Sequence, residues 1–213
     1  MRIPKHIAII PDGNRRWAHH SGFEKHEGYD YGLAPGLLFL KLCKKYGVEE
    51  VTYYGFTTDN CKRPSLQVEA FSKACVKAVK MIEEEEVSLL VVGNTESDCF
   101  PKELLPYTTR THSNQDFMKV NFLVNYGWEW DLSHMHTDTK NRKSIYGHLG
   151  SREISRINLI IRAGGHCRLS GLLPVQSVYA DFYTVDDLWP DFNEDHFLAA
   201  LNWYNEQDIT LGG

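Results

Sequence analysis

His6-Ile7-Ala8-Ile9-Ile10-Pro11-Asp12-Gly13-Asn14-Arg15-Arg16-Trp17 is the stretch on which the reading of this chain turns. Ile7 to Ile10 is an unbroken apolar run of the kind found in strands covered on both faces. Pro11 has no N–H to donate to a ladder and ends it. A carboxylate, a glycine, an amide and two guanidiniums follow, so the order reads as a buried strand emptying into an anion-binding turn. In open parallel sheets ligands bind outside the carboxyl ends of the strands, which puts residues 12–16 where a site is expected. Gly13 permits close backbone approach or a positive φ, Asn14 can cap a following helix, and the amides of that helix's first turn would face an anion. Arg15 and Arg16 carry planar forks suited to phosphate oxygens. A carboxylate among phosphate ligands is best explained by Mg²⁺, which takes one or two carboxylates plus substrate phosphates. Composition alone leaves open the plainer reading of a surface turn with a capping Asn and solvated arginines.

The rest of the chain sets bounds. With 213 residues and 42% hydrophobic content, it can bury one α/β core, and a single domain over residues 1–213 is expected. A formal net charge of −5 argues against a nucleic-acid partner, which calls for a concentrated basic excess. The local pairs Arg15/Arg16 and Lys62/Arg63 suit a small anionic ligand instead. The five cysteines, Cys43, Cys61, Cys75, Cys99 and Cys167, form no CxxC pair and are odd in number, so reduced thiols are expected rather than a disulfide frame or a zinc site. No apolar run approaches the ~20 residues that span a bilayer and the start lacks a signal-peptide pattern. A cytoplasmic protein with at most peripheral membrane contact is expected.

Periodicity predicts strands near 6–10, 51–56, 88–92, 120–124 and 158–162, with helices between them. Val68, Phe71, Cys75, Val79 and Ile82 recur at helical spacing and mark one apolar face of a helix from Val68 to Glu86, with Glu83 to Glu86 as its solvated end. The polar stretch from Ser133 to Ser151 reads as a long loop. Within it His134 and His136 lack the spaced partners of a zinc site. Asp186, Asp187 and Asp191 form an acidic cluster, but aspartate-rich metal motifs of all-α prenyl synthases do not fit a strand-and-helix alternation.

His6 to Ala18 resembles the first signature of the cis-prenyltransferases, the undecaprenyl diphosphate synthase family. Four further blocks align in the same order: Tyr54 to Pro64, Val120 to Gly127, Leu159 to Ser170, and Leu188 to Phe192. The resemblance implies one α/β domain, a central and mostly parallel sheet flanked by helices, with an apolar tunnel partly walled by the Val68–Glu86 helix. It implies Mg²⁺ as cofactor, and prenyl diphosphates as substrates: dimethylallyl, longer allylic and, in the ordinary reaction, isopentenyl diphosphate.

Carried across by position, Asp12 matches the catalytic aspartate that holds Mg²⁺, and Gly13, Asn14, Arg15 and Arg16, with Trp17, match the cradle of the donor diphosphate. Lys25 stands where the family has an arginine, keeping the charge without the fork. Thr57, Asp59 and Arg63 match the block that orients the substrates. Arg162, Arg168 and Ser170 match the grip on the acceptor diphosphate, and Asp181 falls where a glutamate lies near the metal. Tyr29 and His166 are the candidate proton acceptors, because tyrosine carries a hydrogen-bonding hydroxyl and histidine titrates near neutrality; with Asp12, Asn14 and Arg63 they make the expected catalytic set.

The departures narrow the expected product. Tyr29 replaces a histidine, Cys61 a tryptophan, His166 a glutamate and Gly171 an asparagine of the chain-elongating members, and the segments 64–93 and 131–158 are shorter. A short product is expected. Gly28-Tyr29 and Leu172-Leu173-Pro174 resemble the irregular, lavandulyl-type branch, which joins two prenyl diphosphates head to middle; ordinary head-to-tail addition of isopentenyl diphosphate is the alternative. A homodimer is the expectation. A subunit of a heteromeric enzyme stays open, since the C-terminus reads Thr210-Leu211-Gly212-Gly213 where homodimeric members carry Arg-x-Gly-Gly.

Overall fold

The apolar run at residues 6–10 becomes the centre of a six-stranded sheet. In the computed structural model, which describes residues 2–112, 117–135 and 141–208, the strands are β1 (His6–Ile10), β2 (Glu50–Thr57), β3 (Ser88–Val92), β4 (Lys119–Tyr126), β5 (Leu159–Arg162) and β6 (Asp181–Thr184). They run in the order β3-β4-β2-β1-β5-β6, and every neighbouring pair is parallel. The helices are α1 (Asn14–His20), α2 (Gly28–Tyr31), α3 (Leu33–Lys45), α4 (Ser65–Glu83), α5 (Trp128–Ser133), α6 (Arg142–His148) and α7 (Glu194–Glu206).

Side chains alternate across a strand, and β1 shows it plainly. Ile7 and Ile9 enter the main core with Phe39 and Leu40 of α3, Cys75, Val79 and Ile82 of α4, and Phe197 and Leu201 of α7. Ala8 and Ile10 enter a second core with Ile154, Ile157, Leu172 and Leu173. The connection leaving β1 therefore covers one face, while the one reaching its neighbour β5 covers the other. A parallel sheet opens a crevice at the carboxyl ends of such a strand pair.

The five predicted strands are present within a residue or two. The sixth, β6, was not expected: it is a four-residue, half-buried strand, too short to show a period. Helix α4 starts at Ser65, just after Pro64, as proline demands. Of its predicted stripe, Cys75, Val79 and Ile82 are buried, while Val68 and Phe71 are half-buried. The expected loop at 133–151 contains a helix instead, α6, capped by the Asn141 side chain accepting from the Ser144 amide at 3.0 Å. Its length of seven residues, about two turns, gave no apolar stripe to read. His136 and the C-terminal residues 210–213 lie outside the described residues.

The β2 strand slips register between Tyr54 and Phe56, around Gly55. A bulge inserts one residue and flips the parity that follows, so Phe56 returns to the face of Tyr53. The slip sits at the carboxyl end of the sheet, where it sets the approach of Thr57 and the 3-10 turn Thr58–Lys62.

Candidate active site

The loop after β1 and the end of β5 meet at that carboxyl end. Arg162 closes β5 opposite Ile10, and its Nη2 donates to Asp12 Oδ2 at 2.8 Å while Nη1 donates to Ser170 Oγ at 2.8 Å. Arg162 is only 4% exposed, so its charge is desolvated on one side and turned toward the cleft on the other. Arg16 lies one helical turn from Asp12, 3.5 Å from Oδ1, and donates to the Gly164 carbonyl at 2.8 Å. Burial by itself would raise the Asp12 carboxyl, but the Arg162 hydrogen bond and the charges of Arg162, Arg16 and His166 prevail and hold it below the ordinary value. Asp12 is thus an anion set among cations.

The turn carrying Asp12 depends on two glycines. Gly13 has φ +110° and caps α1, and a Cβ there would lie 2.8 Å from Leu188 Cδ2. Gly164 has φ +85°, and a Cβ would meet Arg16 Nη2 at 2.5 Å. Asn14 is the first residue of α1 rather than its cap, which corrects the expectation. Its amide nitrogen donates back to the Pro11 carbonyl at 3.2 Å, and its buried Oδ1 has no partner.

Around this centre lies a broad polar cleft. It is lined by Asp12, Gly13, Asn14, Arg15, Arg16, Lys25, Tyr29, Thr57, Asp59, Arg63, Arg162, His166, Arg168 and Ser170, which brings together all but two of the sequence-predicted residues. Trp17 is elsewhere, packed at 4.6 Å on Tyr31 and donating to Asp191 at 2.8 Å. Asp181 begins β6 in register with Leu159, at the opposite end of the strand from the level of Arg162. The structure does not bring Asp181 to Asp12. Asp187 pairs with His196 at 2.9 Å.

Sequence reasoning missed His19, His20, Tyr54 and Asn60, which also line the cleft, as does Phe71 of the expected apolar helix face. Helical spacing held the signal for two of them: His19 and His20 fall three and four residues after Arg16, on its side of α1. Tyr54 donates to the Ser170 carbonyl at 2.7 Å, a contact between blocks far apart in sequence. Asp59 is well exposed and pairs with Lys62 at 2.6 Å.

Next to the cleft is an apolar pocket between α3, α4 and the sheet, lined by Leu33, Leu37, Tyr53, Ala74, Cys75, Ala78, Met81, Ile82, Phe122 and Trp189. The two cavities share Pro11, Asn14, Tyr29, Gly55 and Phe71. At this junction Tyr29 stacks on Phe71, ring centroids 4.4 Å apart and planes within 2°, and the Tyr29 hydroxyl accepts from Arg63 Nη1 at 3.0 Å. Tyr53, whose hydroxyl donates to the Gly36 carbonyl at 2.9 Å, and Phe122, stacked on it at 4.7 Å, fill the end toward the sheet. Charge at one end and hydrocarbon at the other suit a molecule with an anionic head and an apolar tail. No helix among the described residues is long and apolar enough to cross a membrane.

Among known proteins, the family described as undecaprenyl diphosphate synthase, of the prenyltransferases, matches residues 10–212. A ditrans,polycis-undecaprenyl-diphosphate synthase of Yersinia pseudotuberculosis is 30% identical over 100% of this chain and 91% of its own length. One from Vibrio parahaemolyticus is 29% identical over 99% and 91%. The crystal structure of lavandulyl diphosphate synthase from Lavandula x intermedia, in complex with dimethylallyl diphosphate, superposes with a TM-score of 0.89 over 99% of this chain and 98% of that one, at 22% identity; at that identity it establishes the fold.

Proposed function

The chain belongs to the undecaprenyl diphosphate synthase family of prenyltransferases, and from that membership we propose that it condenses two prenyl diphosphates into a short product by head-to-middle coupling, with dimethylallyl diphosphate as one substrate. The observation that carries the substrate class is the junction itself: a cation-lined cleft opening into an apolar pocket across Tyr29 and Phe71. Each buried CH₂ contributes about 0.8 kcal/mol, so a five-carbon unit adds about 3–4 kcal/mol. The pocket ends against the Tyr53–Phe122 stack, which favours a short tail.

Arg16, Arg162 and Arg168 would bind the diphosphate oxygens, each charge-assisted bond being worth about 1.5–3 kcal/mol. They stabilise the anion that develops as an allylic C–O bond breaks, while the apolar pocket keeps water from the cation. Asn14 Oδ1 is buried without a partner beside both cavities, an acceptor that a water bound with the substrate would fill. His166, which lines the cleft, is the candidate to take the proton released after coupling, since the Tyr29 oxygen is already engaged with Arg63. Arg63 lies at the junction, held there by Tyr29.

Mg²⁺ fits the cleft. Among the described residues no group of three or more His, Cys, Asp or Glu could hold a metal, and Mg²⁺ asks only for one or two carboxylates, with substrate phosphates and water completing its shell. Asp12 would hold it through Oδ1, which is less engaged than Oδ2. Bound there, the ion would supply charge neutralisation on the leaving diphosphate.

The second reading is head-to-tail addition of isopentenyl diphosphate, favoured by the names of the bacterial relatives. The test is incubation with Mg²⁺ and dimethylallyl diphosphate, alone and with geranyl, farnesyl or geranylgeranyl diphosphate, with and without isopentenyl diphosphate, followed by mass spectrometry of the dephosphorylated alcohols. A branched alcohol made without isopentenyl diphosphate is expected. Linear Z-alcohols formed only with it would transfer the assignment to the second reading.

A further inference from the structure

Tyr54 is buried in the sheet, yet it also lines the polar cleft. Its ring packs in the second core with Ile10, Leu123, Tyr126 and Leu172, edge-on to Tyr126 at 6.2 Å. Its hydroxyl crosses from β2 to the loop after β5 and donates to the Ser170 carbonyl at 2.7 Å. Burial pushes the phenol above its ordinary value, so it remains a donor at neutral pH.

The turn it touches has an unusual backbone. Ser170 has φ +52° and Gly171, directly after it, φ +81°. A non-glycine residue in the left-handed region costs energy and persists only where its surroundings hold it there. Three side chains hold this turn. Arg162 Nη1 donates to Ser170 Oγ at 2.8 Å and to the Arg168 carbonyl. Tyr54 takes the Ser170 carbonyl. Trp128, the first residue of α5, closes on Gly171, where a Cβ would lie 2.9 Å from Trp128 Cδ1 and 3.5 Å from the Tyr54 hydroxyl. Arg168 and Ser170 line the cleft from this turn, and the same Arg162 bonds Asp12 at 2.8 Å.

We infer that Tyr54 is a positioning residue, whose hydroxyl keeps the turn 168–171 in the form that presents Arg168 and Ser170 to a substrate diphosphate. The ring contributes packing that phenylalanine would contribute equally, whereas the bond to Ser170 belongs to the hydroxyl alone. Arg162 cannot replace it, because its Nη1 is committed to Ser170 Oγ and the Arg168 carbonyl and its Nη2 to Asp12. Without the phenol the Ser170 carbonyl loses this donor and the left-handed residue loses one of its holds. Arg168 and Ser170 Oγ are then no longer preorganised, and an anion must order them as it binds. The effect on turnover rests on the proposed coupling of prenyl diphosphates, while the effect on anion binding rests on the geometry of the turn.

The test is Tyr54→Phe in the full-length protein, with Mg²⁺-pyrophosphate binding measured by calorimetry beside KM and kcat for prenyl diphosphates. Tyr146→Phe is the matched control: its hydroxyl likewise donates to a backbone carbonyl, that of Val175 at 3.1 Å, from outside the cleft lining, and its loss should leave all three quantities unchanged. Tyr54→Phe should weaken pyrophosphate binding and raise KM, each about tenfold, the scale of one hydrogen bond lost with a buried acceptor left behind. Its kcat should hold, the pattern of binding lost equally from ground and transition states. Gly171→Ala presses on the same turn from the Trp128 side and should raise KM as well. Unchanged pyrophosphate affinity in folded Tyr54→Phe, an equal loss in Tyr146→Phe, or a fall in kcat at constant KM overturns the proposal, as does an unchanged KM in Gly171→Ala. Weaker pyrophosphate binding in Tyr54→Phe, from a protein that couples no prenyl diphosphates, would uphold the positioning role and refute the proposed reaction.

Discussion

At the amino end of the sheet His6, Glu50, Thr52 and Asn121 are sealed from water, whereas at the carboxyl end Asp12, Arg16, Arg63 and Arg168 ring an open cleft. Both ends are polar, and they differ in how their hydrogen bonds close. At the amino end His6 Nε2 meets Thr52 Oγ1 at 2.8 Å, Asn121 donates to Glu50 Oε1 at 2.7 Å and to Thr52 at 3.0 Å, the Ser155 amide donates to Glu50 at 3.2 Å, and Arg110 donates to Asn121 Oδ1 at 2.7 Å. Those bonds join β1, β2, β4 and the residues leading to β5. At the carboxyl end Asn14 Oδ1 and Arg162 Nε are buried without partners. A buried polar group left unpaired costs about 1–3 kcal/mol, and at a site that cost is recovered when a ligand supplies the missing bond. One end closes its polar groups on one another across the strands, whereas the other turns Asp12, Arg16, Arg63 and Arg168 toward the cleft.

The sharpest way to break this contrast is Asp12→Ala. Turnover of the folded fraction should fall by about 10²–10³-fold, the scale for losing one charge-stabilising group at a reacting centre, beyond any stability lost as the buried Arg162 gives up its carboxylate partner. Full activity in that variant would end the assignment of the cleft. Glu50→Ala should do the reverse, lowering stability by about 1–3 kcal/mol through the unpaired Asn121 and Ser155 donors and leaving kcat of the folded fraction unchanged. A loss of kcat without a loss of stability would mean that the amino end is not merely structural.

The smallest expected effect is in pH dependence. Burial holds the His6 pKa below 6.5, against the pull of Glu50. The unfolded chain therefore takes up this proton more readily than the folded one. The stability associated with neutral His6 is complete above about pH 6.5 and is lost as the pH falls through the lowered folded value. Urea midpoints measured stepwise from about pH 7.5 to about pH 5 should decline, and the decline should be shallower in His6→Gln; equal slopes would move the acid sensitivity to another group.

Local sequence carried a great deal of this. The run Ile7–Ile10, stopped by Pro11, announced a central strand and a turn beyond it, because burial on both faces and the missing N–H are properties of those residues alone. The α4 stripe was equally readable, since Cys75, Val79 and Ile82 recur with the helical period. The β6 strand and α6 were not, being four and seven residues long. The role of Asn14 was misread as a cap because its sequence position fits one, and only the positive φ of Gly13 moved the cap back by one residue.

By itself, then, the sequence determined the parallel strand core and marked residues 12–16 as an anion-binding turn, because these follow from side-chain type and short-range order, while the candidate residues of the later blocks came from the family resemblance. Tertiary structure alone decided which of those groups meet. It set Arg162 against Asp12 across 150 positions, left Asp181 at the far end of its strand, and put Trp17 on Tyr31. Strand register and the Gly55 bulge fix those meetings through packing between residues distant in the chain, which no local pattern encodes.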